Sequence, residues 1–356
     1  MAEGRERNNP CWCGSGKKLK KCHGETKSKE PPLATGSRIL RRQFSKRVCL
    51  HPLASRSECD QVISAHTIQR SRTLARLVNK ANHVGHLRPD PMVPFKVSMK
   101  QIGWKDASTF TGFCGRHDNS TFRALETRPF VADPEQCFLV AYRAVCHEVF
   151  NKRAASSAHE SVIKLAEHHH RKIPDALKGY SVGLAASLAE MERLKRSSDE
   201  ALLAEHFKSW RNLLLRFTGP LSVASTGLHS PTFDLDGRRL QDLGDLNVPT
   251  QSVAVSVEPT ISGFTWIFSW PNGSTVGEAL ARSVEMTDRD LLASRLVQYL
   301  FLQLENIYFS IEWWDAQSEQ ARRGFQHLAL TVIESAPQRY VHSELVPWKL
   351  EGVTRA

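Results

Sequence analysis

The stretch 252–269 reads SVAVSVEPTISGFTWIFS, and it decides the fold class. Residues 252–257 alternate valine with serine or alanine, and this period of two predicts a half-buried strand. A turn containing proline and glycine follows, and residues 263–269 then form a second short run rich in aromatic residues. The stretch therefore predicts an antiparallel pair of strands in a small sheet.

Helical patterns lie on both sides of this pair. Asp133-Pro134-Glu135 predicts the start of a helix that continues to about residue 152, and a second helix is expected over about 157–195. The capping box at 197–200 predicts a third helix that ends near residue 217. Helices resume at about 275 and continue to about 335. The order helices, sheet, helices predicts an α+β fold with a mainly helical body over residues 131–356.

Charge is distributed unevenly along the chain. Of the net charge of +11, residues 1–130 contribute 25 Lys plus Arg against 10 Asp plus Glu, whereas the remainder carries 23 against 27. A basic front on a slightly acidic body favours a polyanionic partner for the front, such as nucleic acid. The first thirty residues are polar and no apolar run approaches the ~20 residues of a bilayer crossing, so we expect a cytoplasmic protein without a membrane partner.

Six of the eight cysteines lie in the basic front. In residues 9–24, two thiols separated by one residue are followed by a glycine-rich turn and an adjacent Cys-His pair. This set supplies four ligands for a closed tetrahedral Zn²⁺ site in a segment that has too few apolar side chains for a core. The expected ligands are Cys11, Cys13, Cys22 and His23.

Residues 9–24 resemble the SEC-C motif, which is the zinc-binding tail of the preprotein translocase ATPase SecA and occurs in many other bacterial proteins. Trp12 replaces a proline that is usual in the motif. The resemblance implies the same four zinc ligands and a role in docking partner proteins, with the neighbouring lysines facing an acidic surface. We therefore treat residues 1–24 as a zinc knuckle and residues 25–47 as a basic linker.

A second metal-type cluster is expected in residues 48–130. Its candidate ligands are Cys49, Cys59, Cys114 and His117. The two residues between Cys114 and His117 are typical of zinc ligands at a turn, but the nine between Cys49 and Cys59 are not, and His51 competes for a place.

Residues 49–119 also resemble a degenerate HNH, or treble-clef, module. The resemblance implies that His66 is a general base, that Asp118 stands at the position of a ligand for Mg²⁺ or Mn²⁺, and that Asn119 or Asn82 orients His66. Two departures favour a noncatalytic treble clef instead: Ala65 precedes the histidine where an acid or histidine is usual, and 47 residues separate His66 from Cys114.

These observations predict a bacterial-type zinc protein whose basic N-terminal metal modules dock nucleic acid or an acidic protein surface. The alternative is an HNH-like, metal-dependent nuclease in bacterial defence. A third hypothesis is a ribonuclease of the HEPN type, because Arg153 and His159 have its R-x5-H spacing. No Walker A sequence, Rossmann fingerprint or Ser/His/Asp order is present, which argues against those enzyme classes.

Overall fold

The structure is a computed structural model, and it describes residues 8, 17–21, 33–90, 96–168, 173–331, 337 and 340–356. The chain divides into two compact units. Unit 1 comprises Met1–Arg47 and Val149–Arg193, and unit 2 comprises Val48–Glu148 and Leu194–Ala356. The first division follows Arg47, where the predicted basic linker ends, and the others fall within two long helices.

The α-helices of the described part are, in chain order, α1 (Leu33–Phe44), α2 (Gly115–Thr121), α3 (Arg123–Thr127), α4 (Pro134–His168), α5 (Asp175–Leu203), α6 (Thr275–Met286), α7 (Arg289–Gln303), α8 (Ile311–Ala316) and α9 (Glu319–Ala329). The strands are β1 (Val62–His66), β2 (His83–Pro89), β3 (Val97–Gly103), β4 (Thr109–Cys114), β5 (Trp210–Thr218), β6 (Val223–His229), β7 (Val253–Pro259), β8 (Phe264–Pro271), β9 (Ile307–Phe309) and β10 (Lys349–Arg355). The α+β fold class is confirmed.

The predicted antiparallel pair is confirmed, and it lies at the centre of a larger sheet. Strands β7 and β8 pair in the antiparallel sense with Ser256 opposite Ile267. The complete sheet has eight strands in the order β10-β5-β8-β7-β6-β9-β2-β3, and every neighbouring pair is antiparallel. All residues of β7 are buried, so both faces of the centre are covered.

Helices α6 and α7 cover this central region with apolar side chains. Leu280 and Val284 of α6 and Leu296 and Leu300 of α7 belong to the same buried cluster as Trp266 of β8. Serine and aspartate caps fix where these helices begin, because Ser274 accepts the Gly277 N–H and Asp288 accepts the Asp290 N–H. This covering makes unit 2 the larger hydrophobic core of the protein.

The helix predicted from 197 to about 217 is wrong, because residues 197–203 are the last part of α5 and no helix begins at the capping box. Residues Trp210–Thr218 form β5, which pairs with β8 on one side and β10 on the other. Its apolar run at 213–215 is buried in the sheet. A short continuous apolar run fits a doubly covered strand as well as a buried helix, and the pairing with β8 decides for the strand.

Strands β1 and β4 form a separate two-stranded antiparallel sheet, with Val62 opposite Cys114 and His66 opposite Thr109. The chain between them provides β2 and β3, which join the eight-stranded sheet through β9. The insertion of β2 and β3 between β1 and β4 accounts for the long separation of His66 from Cys114 in the sequence. In unit 1, Leu33–Phe44 lies within the predicted linker yet forms α1, which packs on α4 through Ile39, Ala158 and Leu165.

Candidate metal centre

The two-stranded sheet gathers three separate segments at the end of β4. The N–H groups of Val48 and Leu50 donate to the carbonyl oxygens of Thr111 and Gly112, at 3.1 and 2.9 Å. On the other side, β1 pairs with the end of β4 and the Gly115 N–H donates to the Gln61 carbonyl oxygen at 3.0 Å. As a result, residues 49 and 59 reach the last residue of β4.

Helix α2 begins directly after β4 and brings in the fourth side chain. Asp60 holds its first turn, because the Arg116 N–H donates to Oδ1 of Asp60 at 3.0 Å, and this bond lowers the pKa of the Asp60 carboxyl. Glycine at 115 leaves room for this contact, since a Cβ there would lie 3.1 Å from Oδ2 of Asp60. The two-residue spacing then places Cys114 and His117 on the same first turn.

Three sulfur atoms surround one nitrogen at this point. Nδ1 of His117 lies 3.4 Å from Sγ of Cys49, 3.6 Å from Sγ of Cys59 and 3.3 Å from Sγ of Cys114. The four potential ligand atoms all lie within 4.8 Å of one another. We call this group the Cys3His cluster.

Hydrogen bonding does not account for this arrangement. A ring nitrogen of neutral histidine carries either one hydrogen or one lone pair, so it serves one thiol and not three. A tetrahedral zinc ion with Zn–S of about 2.3 Å and Zn–N of about 2.0–2.1 Å requires S···N separations of about 3.5 Å. The observed separations of 3.3–3.6 Å match this value, so the residues present fit a bound zinc ion.

Binding of a metal ion to the cluster is coupled to loss of a proton from Cys49. Burial raises the pKa of the Cys49 thiol to about 11, although the backbone N–H groups of Cys114 and His51 act to lower it. The metal-free Cys49 thiol is therefore protonated at neutral pH, and a bound ion must displace this proton. Zinc affinity is accordingly expected to fall as the pH falls.

His51 does not contribute to the cluster. Its ring stacks on the ring of His117 with centroids 4.1 Å apart and planes 8° apart. Its Nδ1 accepts the N–H of Leu53 at 3.2 Å, which engages that nitrogen within the loop. The ligand atoms that lie within 4.8 Å of one another are those of the three cysteines and His117, and His51 is not among them.

A buried lysine ties the cluster to α5. Nζ of Lys195 donates to the carbonyl oxygen of Leu50 at 2.8 Å and to the hydroxyl of Tyr142 at 3.2 Å, and it forms an ion pair with Asp199. Its side chain is only 6% exposed. No local sequence pattern predicts this contact, because a single lysine on a helix does not indicate which distant residue it will bind.

With this geometry in place, comparison with known proteins adds one finding. The SEC-C motif family matches residues 7–25. Neither a curated protein nor a solved structure matches the chain. The SEC-C motif and the Cys3His cluster together indicate a metal-binding protein.

The expected ligands of the SEC-C motif, Cys11, Cys13, Cys22 and His23, lie outside the described residues. Within the motif, Leu19–Lys21 forms a single 3₁₀ turn in which the Lys21 N–H donates to the Lys18 carbonyl oxygen at 2.9 Å. No helix in the described part of the chain combines the length and apolar character needed to span a bilayer.

The residues of the HNH-like hypothesis lie in different environments. His66 ends β1, is half-buried, and its Nε2 has no hydrogen-bond partner among the described residues. Burial, together with the charges of Arg70 and Arg143, lowers the pKa of His66, so the ring is neutral at pH 7. Asp118 is buried and its Oδ1 lies 4.0 Å from Nη2 of Arg143, whereas Asn119 is exposed.

Arg143 is a second buried charge that the sequence analysis missed. Its guanidinium lies 3.9 Å from the centre of the Phe122 ring and 3.2 Å from a carboxylate oxygen of Glu126. Burial raises the pKa of Asp118, and the charge of Arg143 opposes that shift. The charge of Arg143 thus offsets part of the cost of burying the Asp118 carboxylate on α2.

Arg153 and His159, the two residues of the ribonuclease hypothesis, form hydrogen bonds within unit 1. Arg153 donates to both carboxylate oxygens of Glu192, at 2.6 and 2.8 Å. Nε2 of His159 lies 2.6 Å from the hydroxyl of Ser181. Both side chains serve helix packing between α4 and α5 in these positions.

Proposed function

We propose that the protein binds two zinc ions and uses its basic N-terminal region to dock a partner, either nucleic acid or an acidic protein surface. One ion is held by Cys49, Cys59, Cys114 and His117, and the other by the ligands expected in the SEC-C motif. The observation that carries the proposal is the placement of three sulfur atoms 3.3–3.6 Å from a single imidazole nitrogen.

The proposed role of the ion in the Cys3His cluster is structural. Four protein ligands close a tetrahedral site and leave no position for water or substrate, in contrast to catalytic zinc sites with three protein ligands. The ligands come from the loop after Val48, the end of β4 and the start of α2. The ion therefore joins the loop 49–59 to residues 114–117, next to the backbone hydrogen bonds that already link Leu50 to Gly112 and Gly115 to Gln61.

A reducing compartment is part of this proposal. The described cysteines Cys49, Cys59, Cys114, Cys137 and Cys146 form no disulfide. Thiolate ligation and unpaired buried thiols are typical of cytosolic proteins. We therefore propose a cytoplasmic location.

Zinc stoichiometry tests the proposal. Native mass spectrometry of protein purified with zinc should find two zinc ions per chain, and one each in the Cys114→Ala and Cys11→Ala variants. The matched control is Cys137→Ala, which removes a buried cysteine outside both sites and should retain two ions. Two ions in Cys114→Ala, or none in the unaltered protein, would overturn the proposal.

A second candidate function, an HNH-like nuclease, is favoured by one observation. The imidazole of His66 is held neutral by burial and its Nε2 has no described partner, as a general base requires. In this role His66 takes a proton from water as the oxygen attacks a phosphodiester and the P–O bond to the leaving group breaks. Asp118 would hold Mg²⁺ or Mn²⁺, which stabilises the charge on the phosphate, and Asn119 would orient the ring.

Plasmid nicking with Mg²⁺ or Mn²⁺ tests this candidate. Cleavage lost in His66→Ala and retained in His83→Ala, a half-buried histidine on β2, would support it. Cleavage that survives His66→Ala removes His66 from the mechanism. If the unaltered protein cleaves neither plasmid, single-stranded DNA nor RNA, the nuclease candidate is refuted.

A further inference from the structure

Helix α1 presents a cationic face to solvent. Arg38, Arg41 and Arg42 stand at positions i, i+3 and i+4, which fall on one side of a helix. All three residues are exposed. Residues 33–47 contain five basic residues and no acidic residue.

The orientation of this face is fixed by packing within unit 1. Ile39, which is 2% exposed, lies about 100° around the helix axis from Arg38 and packs against Ala158 and Leu165 of α4. This contact holds the helix in place while the three arginines stay exposed. The three guanidinium groups are therefore displayed on a rigid support.

Their charge is not neutralised by described residues. Elsewhere in unit 1 the exposed cations Lys164 and Lys178 pair with Glu160 and Asp175, and in unit 2 Arg323 pairs with Glu319. No described acidic side chain lies within ion-pair distance of the three arginines of α1. A face with three unneutralised guanidinium groups attracts anions, and guanidinium groups bind phosphate with two parallel hydrogen bonds.

Two exposed apolar side chains flank the arginine face and indicate the kind of polyanion. Phe44 is 42% exposed and lies one turn from Arg41, and Leu40 is 49% exposed. Aromatic side chains beside a cationic track are the usual elements of single-strand binding, because every base has a face that stacks. A membrane surface would require a continuous apolar face, but Ile39 is already used in the contact with α4.

We propose that the Arg38/Arg41/Arg42 face of α1 binds the phosphate backbone of a single-stranded nucleic acid, with Phe44 stacking on a base. This proposal rests on the docking function proposed above and assigns it to a surface and a partner. The three arginines contact consecutive phosphates, and counterions are released from the strand.

Fluorescence anisotropy with a labelled 20-nucleotide oligo-U RNA and oligo-dT DNA at 50–200 mM salt tests the assignment. Each phosphate contact to a single strand contributes about 0.7 to the slope of log K against log salt. The Arg38→Gln/Arg41→Gln/Arg42→Gln variant should therefore lose about 2 from the slope and bind about 100-fold more weakly at 0.1 M salt. Phe44→Ala should weaken binding about tenfold with an unchanged slope.

The matched control removes the same number of charges at ion-paired positions, Lys164→Gln/Lys178→Gln/Arg323→Gln, and should keep the slope of the unaltered protein. Equal slopes for the α1 variant and the unaltered protein would refute the α1 assignment while the docking function stands. Tighter binding to poly-glutamate or to anionic vesicles than to either oligonucleotide would refute the nucleic-acid assignment. No binding to any of these probes by protein that holds two zinc ions would refute both.

Discussion

Removal of one ligand from the Cys3His cluster is expected to unfold the loop 49–59 while the eight-stranded sheet stays intact. The change is Cys114→Ala, which deletes the sulfur 3.3 Å from Nδ1 of His117. Within the loop, the backbone is held by few hydrogen bonds, including those of the Ala54 and Cys59 N–H groups to His51 and Ser55.

The magnitude follows from two opposing free energies. Ordering the backbone of about eleven loop residues costs roughly 1–2 kcal/mol each, or roughly 11–22 kcal/mol in all. A structural zinc site contributes about 10–16 kcal/mol of apparent binding free energy. The two quantities are of similar size, so the loop is expected to be ordered with zinc and disordered without it.

Amide hydrogen exchange measures this outcome. In Cys114→Ala the amides of residues 49–59 should exchange near the rates of an unfolded chain, whereas those of β7 and β8 should stay protected. Cys137→Ala is the control, since Cys137 is equally buried but lies on α4 outside the cluster. Protection of residues 49–59 in Cys114→Ala equal to that in the control would refute the reasoning.

Other substitutions test the packing around the site and in the core. Lys195→Met should destabilise the protein by about 3–5 kcal/mol in urea unfolding, because it removes the cationic partner of Asp199 and the donor to the Leu50 carbonyl; unchanged stability would contradict this role. Gly277→Ala should lower the melting temperature, since its Cβ would lie 2.2 Å from Trp270. Gly183→Ala is the control: a Cβ there has nothing within 4 Å, so this substitution should raise stability by roughly 0.5–1 kcal/mol. Equal effects of the two substitutions would disprove the close contact between residue 277 and Trp270. Burial lowers the pKa of His229 to about 3. From pH 6.5 towards pH 3 the unfolded chain therefore takes up a proton at this residue that the folded chain does not. The free energy of unfolding should fall by about 1.4 kcal/mol per pH unit from this residue. His229→Gln should reduce that slope in urea titrations at pH 6.5 and 5.5, and an identical slope would show that His229 is not the titrating group.

The fold could be predicted where local pattern and burial agree. The period-two valines of β7 and the aromatic run of β8 identify the central pair, and Asp133-Pro134 marks the start of α4. The eight-stranded extent could not be predicted, because β9 has three residues and β2 and β3 lie far away in the sequence. The apolar run of β5 was ambiguous for the same reason, since only long-range pairing distinguishes it from a helix.

The candidate site shows the same division. The four residues of the Cys3His cluster were named from the chemistry of cysteine and histidine, which is visible in a sequence. The sequence does not indicate the supporting contacts. The hydrogen bond of Asp60 to the first turn of α2 and that of Lys195 to the Leu50 carbonyl depend on segments that meet only in the folded chain. The pairing of β1 with β4 brings residues 59 and 114 together, the Leu50 N–H bond to Gly112 brings in residue 49, and no local sequence pattern indicates either contact.

X-ray absorption at the zinc edge identifies the atoms that bind zinc in the Cys3His cluster. The Cys11→Ala variant isolates the Cys3His cluster from the SEC-C motif. For this variant we predict one zinc ion per chain with three sulfur neighbours at about 2.3 Å and one nitrogen neighbour at about 2.0–2.1 Å. A shell of oxygen and nitrogen atoms without sulfur would contradict it.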